Sequence, residues 1–471
     1  MRNVCANAVD AARGAGATYA DARAVARRTQ SVATKNGRVD AVNDVESEGI
    51  GVRVLVEGAW GFACDRRLTD AGAREAALRA CAFARASGSR GGASLAPLDP
   101  QSGTYATAFD IDPFSISVAD KIEFCLRAEA GLARPEVKVA EAFVRALRER
   151  KVLVTSEGTE VEQEIVESGG GIDATAIGDG LAQIRSYPSA HSGASAQAGW
   201  EYVVGLGLER EAPRVAEEAA ALLAAPECPA GVTDVVIDAE QMELQVHESV
   251  GHPTELDRVL GSEAAYAGTS FLKQGDLGSL RYGSQLMNIT ADPTTLGGLG
   301  SFGFDDEGVP AEPRPIVREG VLVGWIGSRE VGFPGSMRAD GWSRMPLVRM
   351  TNLHLEPGEG TLEELIDGVA DGLFLQTNKS WSIDDKRLNF QFGTQAAWEI
   401  RNGKLGRLLR DATYTGITPQ FWASMDAVAG RGEWRLQGLT NCGKGQPGQS
   451  AHVSHGASPA RFRDVQVGVR G

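Results

Sequence analysis

Histidine and cysteine are scarce in this chain, six of each in 471 residues, and aromatic side chains make up only 6%. The cysteines (Cys5, Cys64, Cys81, Cys125, Cys228 and Cys442) are scattered without framework spacing, which argues against a disulfide scaffold and for reduced thiols. No run of 18 apolar residues occurs, so a membrane-spanning helix is not expected. The first ten residues hold no apolar stretch before a charge appears, so no export signal is visible and a cytoplasmic protein is expected. Basic residues are outnumbered, 47 Lys and Arg against 62 Asp and Glu, for a formal charge of −15. A nucleic-acid surface needs clustered Lys and Arg, so nucleic acid is not an expected partner. What is present is ordinary for a globular enzyme: 42% hydrophobic and 23% charged residues, with length enough for two or three domains.

Two of the few histidines stand close together in His247-Glu248-Ser249-Val250-Gly251-His252. Imidazole is a good ligand for a borderline metal such as zinc, and a neighbouring carboxylate can deprotonate a metal-bound water. The familiar protease pattern H-E-x-x-H spaces its histidines by four, on one helical face. Five residues of ideal helix turn through about 140° and rise roughly 7.5 Å, which points the rings apart. A π-type turn would bring them back to one side. The sequence permits it, because Gly251 adds backbone freedom and Pro253 lacks a donor and clashes one turn back, near Ser249. The spacing thus predicts a metal site on condition that the helix is distorted there.

Such a site needs a third ligand. Cys442 is the best candidate, in Thr440-Asn441-Cys442-Gly443-Lys444-Gly445-Gln446-Pro447, a glycine-rich stretch that reads as a loop. Lys444 is expected to favour its thiolate. Two histidines, one cysteine and an open fourth position suit a catalytic zinc better than a structural one.

With Phe304-Asp305-Asp306-Glu307-Gly308, Arg349-Met350-Thr351-Asn352 and Cys442-Gly443-Lys444-Gly445-Gln446, the histidine motif resembles the TldD/PmbA metallopeptidases, over essentially the whole chain. The resemblance implies zinc bound by His247, His252 and Cys442, with Glu248 as the base. It also implies a dimer, of two copies or with a metal-less PmbA-like paralogue. Non-catalytic paralogues lack the histidine motif, so this chain resembles the catalytic type. It departs from many members at Pro253-Thr254-Glu255-Leu256-Asp257 and in a slightly shortened Gly445-Gln446-Pro447, neither of which touches an expected ligand.

The chain divides near residue 230. Residues 1–230 read as an α+β region of helices and antiparallel strands, divisible at 102 into two similar halves, 1–102 and 103–230. Helices are expected over 3–15, over 70–86 with Thr69 as N-cap, and over 213–225 with Pro213 in the first turn. Lys35-Asn36-Gly37-Arg38 reads as a hairpin turn, Glu57-Gly58 as another, and 87–102 as a linker. Residues 32–51 resemble 153–172 at an offset of 121, and two such halves would make one extended sheet. Residues 231–471 read as a β-rich catalytic region carrying the metal-binding helix at 239–252. Strands are expected at 233–237, 285–290, 315–318, 321–326, 347–355, 390–400 and 465–469, arranged as a sandwich or barrel.

Weaker candidates remain. Asp305-Asp306-Glu307 reads as a cation site or a solvated hairpin. Arg349 and Asn352 read as substrate anchors or as structural bridges. His452 and His455 read as groups that polarise a scissile carbonyl or as exposed tail histidines. Gly297-Gly298-Leu299-Gly300 lacks a βαβ context and reads as a flexible loop. The function expected is a zinc-dependent peptidase of flexible or unfolded peptides. Alternatives are a zinc-dependent amide or C–N hydrolase in small-molecule biosynthesis and a regulatory subunit of a hetero-oligomer.

Overall fold

The computed structural model describes residues 1–88, 92–190, 193–445 and 448–468 of an α+β protein. The expected features at Gln446, Pro447, Val469 and in part of the 87–102 linker lie outside the described residues. The first region is built on one sheet. Its strands run in the order Ala59–Asp65, Arg38–Val56, Tyr19–Lys35, Val137–Thr155, Glu160–Gly178 and Ser102–Ala106, with Leu181–Tyr187 and Ala194–Ala196 also paired to Glu160–Gly178. Asn36 and Gly37 both adopt positive φ, 50° and 75°. That is the two-residue turn geometry an Asn-Gly pair supplies. The two copies of the internal repeat are both long antiparallel hairpins, joined edge to edge through Tyr19–Lys35 and Val137–Thr155.

Strand alternation sends the two faces of this sheet to different tasks. Ala20, Ala22 and Ala24 face the helices Arg2–Gly14 and Asp70–Ser87, in a core that also buries Ala8, Ala12, Ala73, Ala76, Ala77, Ala80 and Ala84. These small side chains let backbones meet: a Cβ on Gly61 would stand 2.1 Å from the Ala80 carbonyl oxygen. Thr69 caps the second helix as expected. A neighbouring core, with Val144, Ile172 and Ala174, lies under Val118–Ala130 and Leu208–Ala224. The latter helix begins at Leu208, so Pro213 sits in its interior and not in its first turn. Burial of Leu208 and Ala212 extends the helix upstream, and the proline forfeits one backbone hydrogen bond.

The opposite face carries Asp21 and Arg23, with Arg53 on the adjacent strand. Here the acidic triplet corrects the expectation. Asp305, Asp306 and Glu307 are each only 1% exposed, so they form no solvated hairpin. Asp306 pairs with Lys151 at 2.7 Å and with Arg23 at 3.8 Å, while Arg53 reaches Asp21 at 2.7 Å and Glu307 at 3.3 Å. Asp305 accepts the backbone N–H groups of Glu307, Val309 and Met337. Cations buried on the sheet's second face need anions, and the C-terminal region delivers them.

In that region five strands pair into a closed ring, in the order Asp371–Ile383, Gly231–Ile237, Ala460–Val467, Thr413–Ile417, Asn389–Arg401 and back to the first. A second sheet orders Val321–Leu322, Arg314–Arg318, Ile289–Ala291, Asn352–Leu355, Gln449–Ala457 and Arg435–Lys444. The helix Ala239–Val246 lies between them, packed on Asp371–Ile383 of the ring and on the last three strands of the sheet. Its Met242 and Val246, followed by Val250, join a core shared by both sheets. Several strands are shorter than their hydrophobic runs. Beyond Leu322, for example, the chain leaves the sheet and Ile326 exchanges backbone hydrogen bonds with Thr254 and Leu256, behind the histidine motif.

Candidate metal centre

Asp238 starts the motif helix by accepting the Gln241 N–H at 2.9 Å. Regular α-helix covers Ala239–Val246, and His247–Gly251 then widens into a π turn closed by the His252 N–H on the His247 carbonyl. An α-helix would require Pro253 to donate to the Ser249 carbonyl, which proline cannot do. The Tyr282 hydroxyl donates to that carbonyl instead. Gly251 is required by a close approach, since a Cβ there would lie 2.0 Å from Met350 Sδ. The Ser249 hydroxyl accepts from Gln245 Nε2 and Trp422 Nε1, both at 2.9 Å, so the distorted turn leaves its buried polar atoms paired.

The wider turn brings the rings of His247 and His252 to 4.8 Å between centroids. Ligand atoms of His247, His252 and Cys442 all lie within 4.8 Å of one another, and all three residues are buried. Donors around a tetrahedral zinc stand about 3.3–3.6 Å apart, so closing on an ion asks for side-chain shifts of roughly 1 Å. Nitrogen and thiolate donors suit such a metal.

Hydrogen bonds behind the ligands decide which nitrogens are free. His455 Nδ1 lies 3.1 Å from the Leu353 carbonyl, so it is the protonated nitrogen, and His455 Nε2 accepts from His247 Nδ1 at 2.7 Å. That leaves the His247 Nε2 lone pair for a metal. His252 Nδ1 donates to Glu255 Oε2 at 3.0 Å, which frees His252 Nε2 in the same way. Burial lowers the pKa of His247 and lowers that of His455 well below the usual range, keeping both neutral. Glu255 is itself held by Lys444 at 3.2 Å and Arg258 at 3.5 Å. Against its burial, Lys444, His252 and Arg258 keep its carboxyl well below the carboxylate range.

Cys442 is on the strand Arg435–Lys444, not in a loop, at an irregularity in its pairing with Gln449–Ala457. Its thiol lies in one cluster with the two histidines. Burial raises its pKa, but the contact with His252 and the charge of Arg349 bring it below the ordinary thiol value. Lys444, expected to do this, is spent on Glu255 and Asp257. Glu248 lies in the same cavity, where Arg387 Nη1 donates to its Oε2 at 2.8 Å. Burial pushes the Glu248 pKa up, but the positive charge around it, that of Arg387 and Arg258 included, holds it below the usual carboxylate value.

The cavity measures about 290 Å³ and contains His247, Glu248, His252, Cys442 and His455 in its lining. Arg349 and Asn352 stand apart from it. Arg349 donates to the Cys442 and Gln449 carbonyls, fixing the cysteine strand, and Asn352 bonds to Gly300, Asp292 and Ser301. Gly298 and Gly300 are thereby packed against Asn352 and Thr351. His455 is no exposed tail residue: it is 2% exposed on Gln449–Ala457, while the half-buried His452 pairs with Glu167 at 2.5 Å. Sequence reasoning missed Glu255, Arg387, Glu240 and Glu243. Glu255 follows His252 by three, a helical-neighbour spacing that could have exposed it. Arg387 is 139 residues from its partner, and no local pattern points to it.

The chain is similar to known proteins along its length. Residues 20–84 match PmbA/TldA metallopeptidase domain 1, 111–225 the central domain and 230–469 the C-terminal domain. A metalloprotease of Methanothermobacter thermautotrophicus is 29% identical over 96% of this chain and 95% of its own length, and one of Synechocystis is 31% identical over 93% and 92%. A Haemophilus influenzae metalloprotease TldD homolog is 29% identical over 52% of this chain and 50% of its own. Among solved structures, a putative modulator of a DNA gyrase from Thermotoga maritima shares the fold with a TM-score of 0.78 at 19% identity, covering 99% of each chain. TldE from Thermococcus kodakarensis gives 0.76 at 13%, covering 99% of this chain and all of that one. With all three domain models matched along its length, this chain belongs to the PmbA/TldA metallopeptidase family.

Proposed function

We propose that the protein is a zinc-dependent peptidase acting on flexible or unfolded peptides. One observation carries the reading: two histidines and a cysteine converge within 4.8 Å beside Glu248, in one cavity. Bound there, zinc would supply Lewis acidity toward the scissile carbonyl and an acidified water. Glu248 accepts the proton of the attacking water and passes it to the leaving amine. Arg387 holds that carboxylate in place. His455 and Glu255 fix the ring orientations of the two histidines.

The peptide reading has its own support. Arg435–Lys444 is the terminal strand of its sheet, and its Gln437, Gly438, Leu439, Asn441, Cys442 and Gly443 line the cavity. An extended chain can pair with such an edge through main-chain hydrogen bonds, which a folded domain cannot offer. The test is metal content with digestion. Purified protein should hold about one zinc per chain, Cys442→Ser should lose most of it, and chelation should abolish cleavage. One polypeptide offered native and unfolded should be cut only when unfolded. Activity surviving complete metal removal would overturn the metallopeptidase reading, and equal cutting of both forms would overturn the edge-strand reading.

A further inference from the structure

The cavity beside the metal centre has a second chemical character. Besides Glu248 it is lined by Glu240 and Glu243, so three carboxylates face one guanidinium, Arg387, among the described lining residues. Arg387 is committed to Glu248. Glu243 is 6% exposed, and its Oε1 is buried without a hydrogen-bond partner among the described residues. Glu240 is satisfied on one side by Ser189 and by the backbone of Asn378 and Ala190, but its buried Oε2 also lacks a partner.

A buried carboxyl oxygen without a hydrogen-bond partner is costly, and Glu243 carries one while lining the cavity. Burial, with Glu240 and Asp238 nearby, raises the Glu243 pKa well above the carboxylate range. A cation beside the carboxyl would favour its ionised form and offset that shift. Placement adds direction. Glu243 precedes His247 by four residues, so the two side chains share a helical face about 5–6 Å apart at Cβ. The indole of Trp381, which lines the same cavity, offers a face suited to an alkylammonium.

We infer that Glu243, with Glu240, forms a subsite for a primary ammonium group of the substrate, so that the site selects peptides carrying a cation next to the scissile bond. The inference rests on the peptidase reading for what occupies the cavity, and names the chemistry that occupant presents. Two sources supply it: the free amino terminus of the peptide, or a lysine side chain near the cleaved bond.

The experiment uses four pentapeptides, Ala-Xaa-Ala-Ala-Ala with Xaa lysine or norleucine, each with a free or an acetylated amino terminus. Dissociation constants are measured by calorimetry on zinc-loaded Glu248→Gln protein, with and without Glu243→Gln, and cleavage is measured separately on the wild type. Removing the recognised cation should weaken binding about 10- to 100-fold, the worth of a hydrogen bond to a charged group. Glu243→Gln should erase that difference while zinc content stays unchanged. Loss on acetylation assigns the amino terminus, and loss on replacing lysine assigns the side chain. Should Glu243→Gln fail to fold, Glu240→Gln and the four-peptide comparison decide instead. Equal affinity for all four peptides, with cleavage intact, overturns the subsite and leaves the peptidase reading standing. Cation-dependent binding without any cleavage supports the subsite and overturns the peptidase. No binding of any peptide overturns the subsite.

Discussion

The two regions of this molecule are held together by different materials. The N-terminal cores are lined with alanine, so that helix and sheet backbones nearly touch, as at Gly61 and Ala80. The C-terminal core is filled with aromatic rings: Phe390 against Phe392 at 4.9 Å, Phe421 stacked on Phe462 at 4.1 Å, Trp422 edge-on to Phe462. Small side chains give an extended sheet close cover but little bulk to hold a deep site. Large rings fill the closed ring of strands and brace the motif, with Trp422 and Tyr282 bonded directly to Ser249 of the π turn. The candidate site sits in the ring-packed region. Between the regions lies a third material, the buried ion pairs of Asp306 and Glu307 with Lys151, Arg23 and Arg53.

The largest expected effect belongs to the ring-packed region and touches no packing. Glu248→Gln should keep its metal-binding capacity and lose about 100- to 10,000-fold in rate. Metal lost along with rate would make Glu248 a support for the site and not its base. Next in size is the joint between regions. Asp306→Asn strands Lys151 and Arg23 without their anion, and denaturant unfolding should show a loss of about 3–5 kcal/mol. A loss below about 1 kcal/mol would mean that shape, not charge, docks the two regions.

The contrast in core material can be broken from both sides. Phe421→Ala should cost about 3–5 kcal/mol by opening a cavity and should lower metal occupancy with it. Gly61→Ala should cost about 1–3 kcal/mol by overpacking against Ala80, with metal content unaffected. Equal loss of metal in both would show that the regions do not differ in how they support the site. A subtler effect is expected of His455→Ala, which leaves all three ligands in place but frees the His247 ring. Competition with a chelator should show metal affinity about 10- to 100-fold lower.

The smallest effect is a slope. Burial, then the neighbouring Glu240, pushes Asp238 up to about 8. A carboxyl raised in this way stabilises the fold while it is protonated. Its contribution is full below about pH 4, where the unfolded chain is protonated too, and is lost as pH rises through about 8. Melting temperature should therefore fall across that window. Asp238→Asn, which still caps the helix, should flatten the fall; an unchanged slope would assign it to other groups.

Local chemistry was legible in the sequence. The Asn-Gly hairpin, the Thr69 cap, the α+β character and the condition that His247–Gly251 must leave α-helical geometry all follow from short-range sterics and hydrogen bonding, which neighbouring residues specify by themselves. Tertiary structure decided what required distant partners. Asp305-Asp306-Glu307 looks like solvent-loving sequence, and only the sheet face presenting Arg23, Arg53 and Lys151 makes it an interior seam. Cys442 reaches the histidines from a strand and not from a loop, and Arg387 meets Glu248 across 139 residues. Charge and hydrogen-bond capacity are written in each residue, but whether they face water, a metal or one another depends on burial, and burial is a property of the assembled fold.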